Sequence, residues 1–183
     1  VCDAAGLREA CLAGSVESLK GMGRRTQERI LEALARGPAA GTGRHLLGAV
    51  EPTALRLLER LAGCDSVVQA TCAGSLRRRC STVKDIDLVA GSSEPPAVLR
   101  RFATTADLSR VIQVGSTKLV AETQNGISVD LRVVSPEAYG NLLQHATGSA
   151  AHNVALRRHA QHRGLKLSEN GVEAVGRARS LPF

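Results

Sequence analysis

Three aspartates in this 183-residue chain have the types of neighbour and the spacing that metal ligation needs. Asp85 and Asp87 are one residue apart in the apolar stretch Asp85-Ile86-Asp87-Leu88-Val89. Residues i and i+2 of a strand share a face, so the two carboxylates project side by side while Ile86 and Leu88 enter the core. Two carboxylates that close repel each other and are costly unless a cation lies between them. Asp130 repeats the arrangement within Ser128-Val129-Asp130-Leu131. If the two strands are neighbours, all three carboxylates meet at one spot. Such hard oxygen ligands select magnesium or manganese, with a substrate phosphate completing the shell. The blander alternative puts Asp85 and Asp87 on a solvated strand face and pairs Asp130 with Arg132.

A possible phosphate holder precedes the aspartates. An apolar run ends in Gly74-Ser75, and a strand that stops there as a helical turn begins offers amides and a hydroxyl to a phosphate. Arg77, Arg78 and Arg79 follow, and guanidinium groups grip phosphate oxygens in pairs.

Charge and composition point toward an anionic partner. The net charge of +7 suits nucleic acid, nucleotide phosphates or an anionic membrane surface. With 2% aromatic residues and no Trp, the core must be Leu, Val, Ile and Ala, and single strands are not held by stacking on rings. No apolar run approaches the ~20 residues of a membrane-spanning helix, and no signal peptide is visible. Cys2, Cys11, Cys64, Cys72 and Cys80 lack Cys-x-x-Cys spacing. They support neither a zinc site nor a disulfide framework, and they fit reduced thiols in a cytoplasm. The chain begins at Val1, already in a helical pattern, which implies a piece of something longer.

Around this centre the periodicity predicts two helices in residues 5–36, the second from about Thr26 to Ala35. The turn between them, Leu19-Lys20-Gly21-Met22-Gly23-Arg24-Arg25, matches a helix-hairpin-helix turn. Its glycines let backbone approach a phosphate, which the next helix's amides can bind; a plain hairpin with a basic, solvated turn fits equally well. Gly37–Gly43 is the best internal boundary. A helix is expected from Pro52 to Ala62 with Leu55, Leu58 and Leu61 on one face, and another over Pro95–Phe102. Strands are expected at Val67–Ala73, Asp85–Ala90, Val111–Val114, Leu119–Glu122 and Ile127–Val134, with a hairpin turn at Asn125-Gly126. Ser135-Pro136-Glu137 is a helix start with a capping serine, leading to about Ala146. A last helix covers Ala151–Arg163 and stops at Gly164, before a strand-and-turn piece at Leu165–Gly171.

The pattern Gly74-Ser75-x-Arg77-Arg78 followed by Asp85-x-Asp87 and a third aspartate resembles the nucleotidyltransferase superfamily. Thr147-Gly148-Ser149-Ala150-Ala151-His152-Asn153, with Ala155-Leu156-Arg157, narrows the resemblance to the family X DNA polymerases of the bacterial, polymerase beta-like kind. It covers nearly the whole chain. It implies an α+β fold: a helix-hairpin-helix fingers segment and linker (1–43), a nucleotidyltransferase palm with a mixed β-sheet and helices on one side (44–136), and the start of an α/β thumb (137–183). It also implies a cytoplasmic, nucleoid-associated monomer of bacterial type that adds dNTPs to a primer 3′-hydroxyl in gapped or primed duplex DNA, as in short-gap repair.

By the same resemblance, Asp85 and Asp87 bind two divalent ions, magnesium or manganese, and Asp130 binds the catalytic one. Gly74, Ser75 and Arg78 hold the triphosphate; Gly148 lies under the sugar, Asn153 touches the base and Arg157 the template side. Lys20, Gly21, Gly23 and Arg24 face DNA, and the carbonyls of Glu17, Leu19 and Met22 hold a monovalent cation. Arg77 and Arg79 are structural or DNA-facing. The chain departs from the family at His145 and Ala146, where aromatic residues are common. It also departs at Ser128, where an arginine can stand beside the third aspartate, and at Val83 and Lys84, which replace small residues near the triphosphate. Neither lyase nor phosphoesterase activity is credited to these residues. His152, His159 and His162, with Arg157, Arg158 and Arg163, read as a basic helix surface. The rival readings are a nucleotidyltransferase acting on RNA or a small molecule, and a DNA-binding chain with an idle centre.

Overall fold

The computed structural model describes residues 3–35 and 43–175, together with the backbone of 177–181. Its contacts divide the chain into two compact units, Val1–Ala40 and Gly41–Phe183. Apart from Gly43, the boundary expected at Gly37–Gly43 lies outside the described residues.

The first unit is a pair of helices, α1 (Ala4–Leu12) and α2 (Arg24–Ala35). Asp3 caps α1 by accepting the N–H of Gly6 at 2.7 Å. The connection is fastened from α2: the Gln27 amide oxygen accepts the Glu17 N–H at 3.0 Å, and its nitrogen donates to the Glu17 carboxylate at 3.3 Å. Gly21 takes a φ of +88°, a left-handed value that costs glycine little. Two helices about a tight turn are therefore present, with α2 starting at Arg24 instead of Thr26.

The second unit is built on a five-stranded mixed sheet. Its strands are β2 (Val67–Cys72), β4 (Asp85–Ser92), β5 (Leu108–Val114), β6 (Lys118–Thr123) and β7 (Ser128–Val134), in the order β2-β4-β7-β6-β5. The β4–β7 pair is parallel and the other neighbours are antiparallel. The short pair β1 (His45–Leu46) and β3 (Thr82–Val83) lies outside this sheet. Alternation in β4 sends Ile86, Leu88 and Ala90 to one face, where α3 (Leu47–Ala62) and α5 (Pro95–Ala103) cover them. Val50, Leu57, Leu61, Leu99, Phe102 and Leu131 complete that core.

The sheet is not covered by helices on one side only. Val89 belongs to the opposite alternation and is apolar, so it too needs cover. Tyr139 and Leu142 of α6 (Tyr139–Thr147) supply it, packing with Ala73 and Val89 in a second small core. Asp85 and Asp87 lie further along that same face.

Three local expectations change. In α3 the buried positions are Val50, Thr53, Ala54, Leu57 and Leu61, while Leu55 is 50% exposed. Pro52 lies inside the helix instead of starting it, so the inward stripe begins at Val50 and excludes Leu55. Ser135 precedes a 3-10 turn, Pro136–Ala138, and its side chain makes no cap hydrogen bond to it. Val83 is fully buried in the main core, and its partner across the β1–β3 ladder is His45.

The Asn125-Gly126 hairpin forms as expected, with Gly126 at φ +75° and its N–H donating to the Thr123 carbonyl. It sets the β6–β7 register: Glu122 opposite Ser128, Val120 opposite Asp130, Lys118 opposite Arg132. Beyond α6 come α7 (Ala150–His162), capped by the Ser149 hydroxyl, and a three-stranded antiparallel sheet of β8 (Leu165–Ser168), β9 (Gly171–Ala174) and β10 (Arg177–Leu181). No helix among the described residues is long and apolar enough to cross a membrane.

These burials predict a contrast within α3. Leu57→Ala should cost about 2–5 kcal/mol by leaving a cavity in the main core, and Leu55→Ala less than about 1 kcal/mol. Urea denaturation of the two variants measures both.

Candidate active site

The parallel pairing of β4 with β7 brings the expected carboxylates together. Asp87 stands directly opposite Asp130, and Asp85 opposite Ser128. All three aspartates are half-buried on the face that α3 and α5 leave open. Burial raises the Asp87 carboxyl to about 7, and the charges of Asp85 and then Asp130 add to that effect against Arg78 and Arg132.

The turn after β2 closes on this point. The Ala73 N–H donates to the Asp87 carbonyl at 2.8 Å, which lays the start of the short helix α4 (Gly74–Arg77) against β4. Gly74 has a φ of +57°, and a Cβ there would fall inside the Asp87 carboxylate. Only glycine permits this approach. Ser75 is half-buried beside it.

The three arginines separate. Arg78 donates to the Thr147 carbonyl, and its guanidinium lies 3.2 Å from where a Cβ on Gly148 would be. Arg79 pairs instead with Glu51 of α3. With Arg77 it lines a depression of about 250 Å³ beside Leu55 and Leu58, away from the carboxylates. Arg78 and Gly148 are thus neighbours, although they lie far apart in sequence. Gly148 sits at φ +66° before a cis peptide bond to Ser149.

A cavity of about 180 Å³ joins Asp87 and Asp130 to Arg132, His145 and Ala146. His145 has a fixed partner: its Nε2 lies 3.3 Å from the Glu169 carboxylate, which Arg132 also contacts at 3.2 Å. Asn153 is buried and already committed, donating to the His145 carbonyl at 2.7 Å and accepting from Gln144 at 3.0 Å. Arg157 is exposed, with its Nε donating to the Asn153 carbonyl at 3.2 Å. In the first unit Lys20, Gly21, Gly23 and Arg24 are all exposed; Arg24 pairs with Glu28, and the Leu19 carbonyl accepts the Met22 N–H.

Two residues of this region escaped the sequence reading. Asp130 does not pair with Arg132; its Oδ2 lies 2.8 Å from the ammonium of Lys118 on β6. Glu169, beyond α7, ties Arg132 and His145 together. Among the described residues no three His, Cys, Asp or Glu side chains stand as a ready-made metal-holding group. The donor set nevertheless fits a hard cation. Asp130 Oδ1 is buried without a hydrogen-bond partner, and Asp87 opposite it carries the repulsion of both Asp85 and Asp130.

The raised Asp87 carboxyl predicts a pH dependence. The folded chain holds that proton more tightly than the unfolded chain, so the associated stability is present below the ordinary carboxylate range and lost as pH rises through about 7. The urea midpoint of the metal-free chain should fall between about pH 4 and about pH 8, and Asp87→Asn should flatten that slope.

Residues 142–183 match the DNA polymerase beta thumb family. Over 184 aligned residues the chain is 34% identical to the DNA polymerase/3′-5′ exonuclease PolX of Bacillus subtilis (strain 168), an alignment that takes in 98% of this chain and 32% of that protein. The chain thus spans about a third of the length of this relative. A thumb match at one end and a relative aligned along nearly the whole chain, on a mixed sheet carrying the three aspartates, make this chain similar to the family X DNA polymerases.

Proposed function

We propose that this chain carries the nucleotidyl-transfer centre of a template-directed DNA polymerase, which joins dNTPs to a primer 3′-hydroxyl in short gaps of duplex DNA. The primer oxygen attacks the α-phosphorus, the bond to the β-phosphate breaks, and pyrophosphate leaves. The observation that carries this reading is the convergence of Asp85, Asp87 and Asp130 on one sheet face against the Gly74 turn.

In this reading residues 1–43 serve as fingers, 44–136 as palm and 137–183 as the start of the thumb. Asp85, Asp87 and Asp130 hold two divalent ions. When bound, such ions stabilise negative charge at the phosphate and make the primer hydroxyl more acidic. The protein's own part is to fix the ligands on rigid strands and to orient the triphosphate. Gly74 clears the space beside Asp87, and Ser75 and Arg78 bind phosphate oxygens. Gly148 marks the floor under the sugar, with Asn153 and Arg157 toward the base pair. The net charge of +7 supports a polyanionic partner. Lys20, Gly21, Gly23 and Arg24 bind the DNA backbone, with a monovalent cation at the Glu17, Leu19 and Met22 carbonyls.

Asp130→Ala should lower primer extension on gapped duplex by more than about 100-fold, since losing a ligand costs more than losing a residue that merely orients one. Arg78→Ala should lower kcat/KM for the dNTP by about 10- to 100-fold, the scale of one charge-assisted hydrogen bond. Equal extension by wild type and Asp130→Ala would overturn the assignment. Salt-dependent DNA binding without metal-dependent incorporation by the wild type would instead mark a DNA-binding chain with an idle centre.

A further inference from the structure

We propose that Lys118 is the resident counter-ion of the carboxylate site. Its ammonium supplies, beside Asp130, the positive charge that a divalent ion supplies on loading, so that metal entry exchanges one cation for another. This rests on reading Asp85, Asp87 and Asp130 as metal ligands.

Three carboxylates sharing one sheet face must be compensated even when no metal is bound. Arg78 and Arg132 favour the charge on Asp87 without contacting it, and their direct partners lie elsewhere: Arg78 binds the Thr147 carbonyl, Arg132 pairs with Glu169 and Arg79 with Glu51. Among the described residues Lys118 is the cation in ion-pair contact with one of the three aspartates, at 2.8 Å from Asp130 Oδ2.

Its position follows from the sheet. Leu119 and Ala121 of β6 are fully buried, so Lys118 and Val120 project to the opposite face. Val120 pairs with Asp130, which leaves Lys118 one diagonal step away, on the same face and within reach of a four-carbon stem. The contact satisfies only half of the carboxylate. Asp130 Oδ1 remains buried with no partner, a lone-pair site that an ammonium on the other oxygen does not fill and a hard cation can.

Lysine also suits a cation that must leave. It is a point charge on a flexible stem, unlike the forked guanidinium of arginine. The side chains of Lys118 and Asp130 are 37% and 31% exposed, so water takes over the ammonium as it swings out. Lys118 is thus a positioning residue that keeps Asp130 compensated before loading and competes with the metal for the charge of that carboxylate.

The test is Mn2+ binding to the full 183-residue chain without DNA or nucleotide, followed by electron paramagnetic resonance, for wild type, Lys118→Met, Lys118→Arg and Asp130→Asn. Lys118→Met should bind Mn2+ about fivefold more tightly, the scale of one partly exposed ion pair, and Lys118→Arg, which keeps the charge, should bind it no more tightly than wild type. In an Asp130→Asn background the methionine change should have no further effect, because the competing contact is already gone. Metal-free Lys118→Met should also melt lower, and Mn2+ should raise its Tm by more than it raises that of wild type. A merely structural lysine would lower stability without tightening metal binding. Unchanged or weaker Mn2+ affinity in a folded Lys118→Met chain overturns the proposal, and Lys118→Gln gives the same comparison if the methionine variant does not fold. Absence of Mn2+ binding by both wild type and Lys118→Met would refute the metal site itself, and this inference with it.

Discussion

Parallel pairing of β4 with β7 is the constraint on which the rest depends. It sets Asp87 opposite Asp130, with Asp85 one pleat away on the same face. Because side chains alternate along a strand, Ile86, Leu88, Val129 and Leu131 are locked into a core without solvent exposure. A slip of one residue would bury the aspartates and expose the leucines, so the hydrophobic core enforces the register of the charged site. The electrostatic cost is concentrated at Asp87, whose carboxyl is pushed up to about 7 by burial first and its neighbours second.

The surrounding elements are arranged to tolerate that concentration. Glycine at position 74 brings backbone against Asp87 where a side chain could not fit. Arg78 reaches the carbonyl beside Gly148, bridging α4 to the end of α6. Glu169 joins Arg132 of the sheet to His145 of α6, on the wall of the cavity that holds Asp87 and Asp130. Strands thus fix the three carboxylates, while turns and helix ends bring Gly74, Arg78 and His145 to the same region.

Much of this was legible in the sequence, because it rests on alternation and on glycine. The Asp85/Asp87 face, the Asn125-Gly126 hairpin and the Gly74 turn follow from period and turn chemistry. What was not legible depends on tertiary neighbours. The inward stripe of α3 runs through Val50, Ala54, Leu57 and Leu61, because the helix begins at Leu47, before the proline that suggested its start. Nothing local reveals the pairing of Val83 with His45. The Lys118 contact had a signal: the hairpin turn fixes which residues of β6 face Asp130. The alternative weighed from the sequence paired Asp130 with Arg132, which is nearer along the chain. Glu169, beyond α7, had none.

The central claim is that Asp85, Asp87 and Asp130 together hold divalent metal for nucleotidyl transfer. Anomalous scattering from a crystal soaked with Mn2+ and a non-hydrolysable dNTP tests it most directly. The account predicts manganese peaks between the three carboxylates, with the triphosphate against Gly74, Ser75 and Arg78. A bound nucleotide with no metal at the aspartates, or manganese held elsewhere, would contradict it.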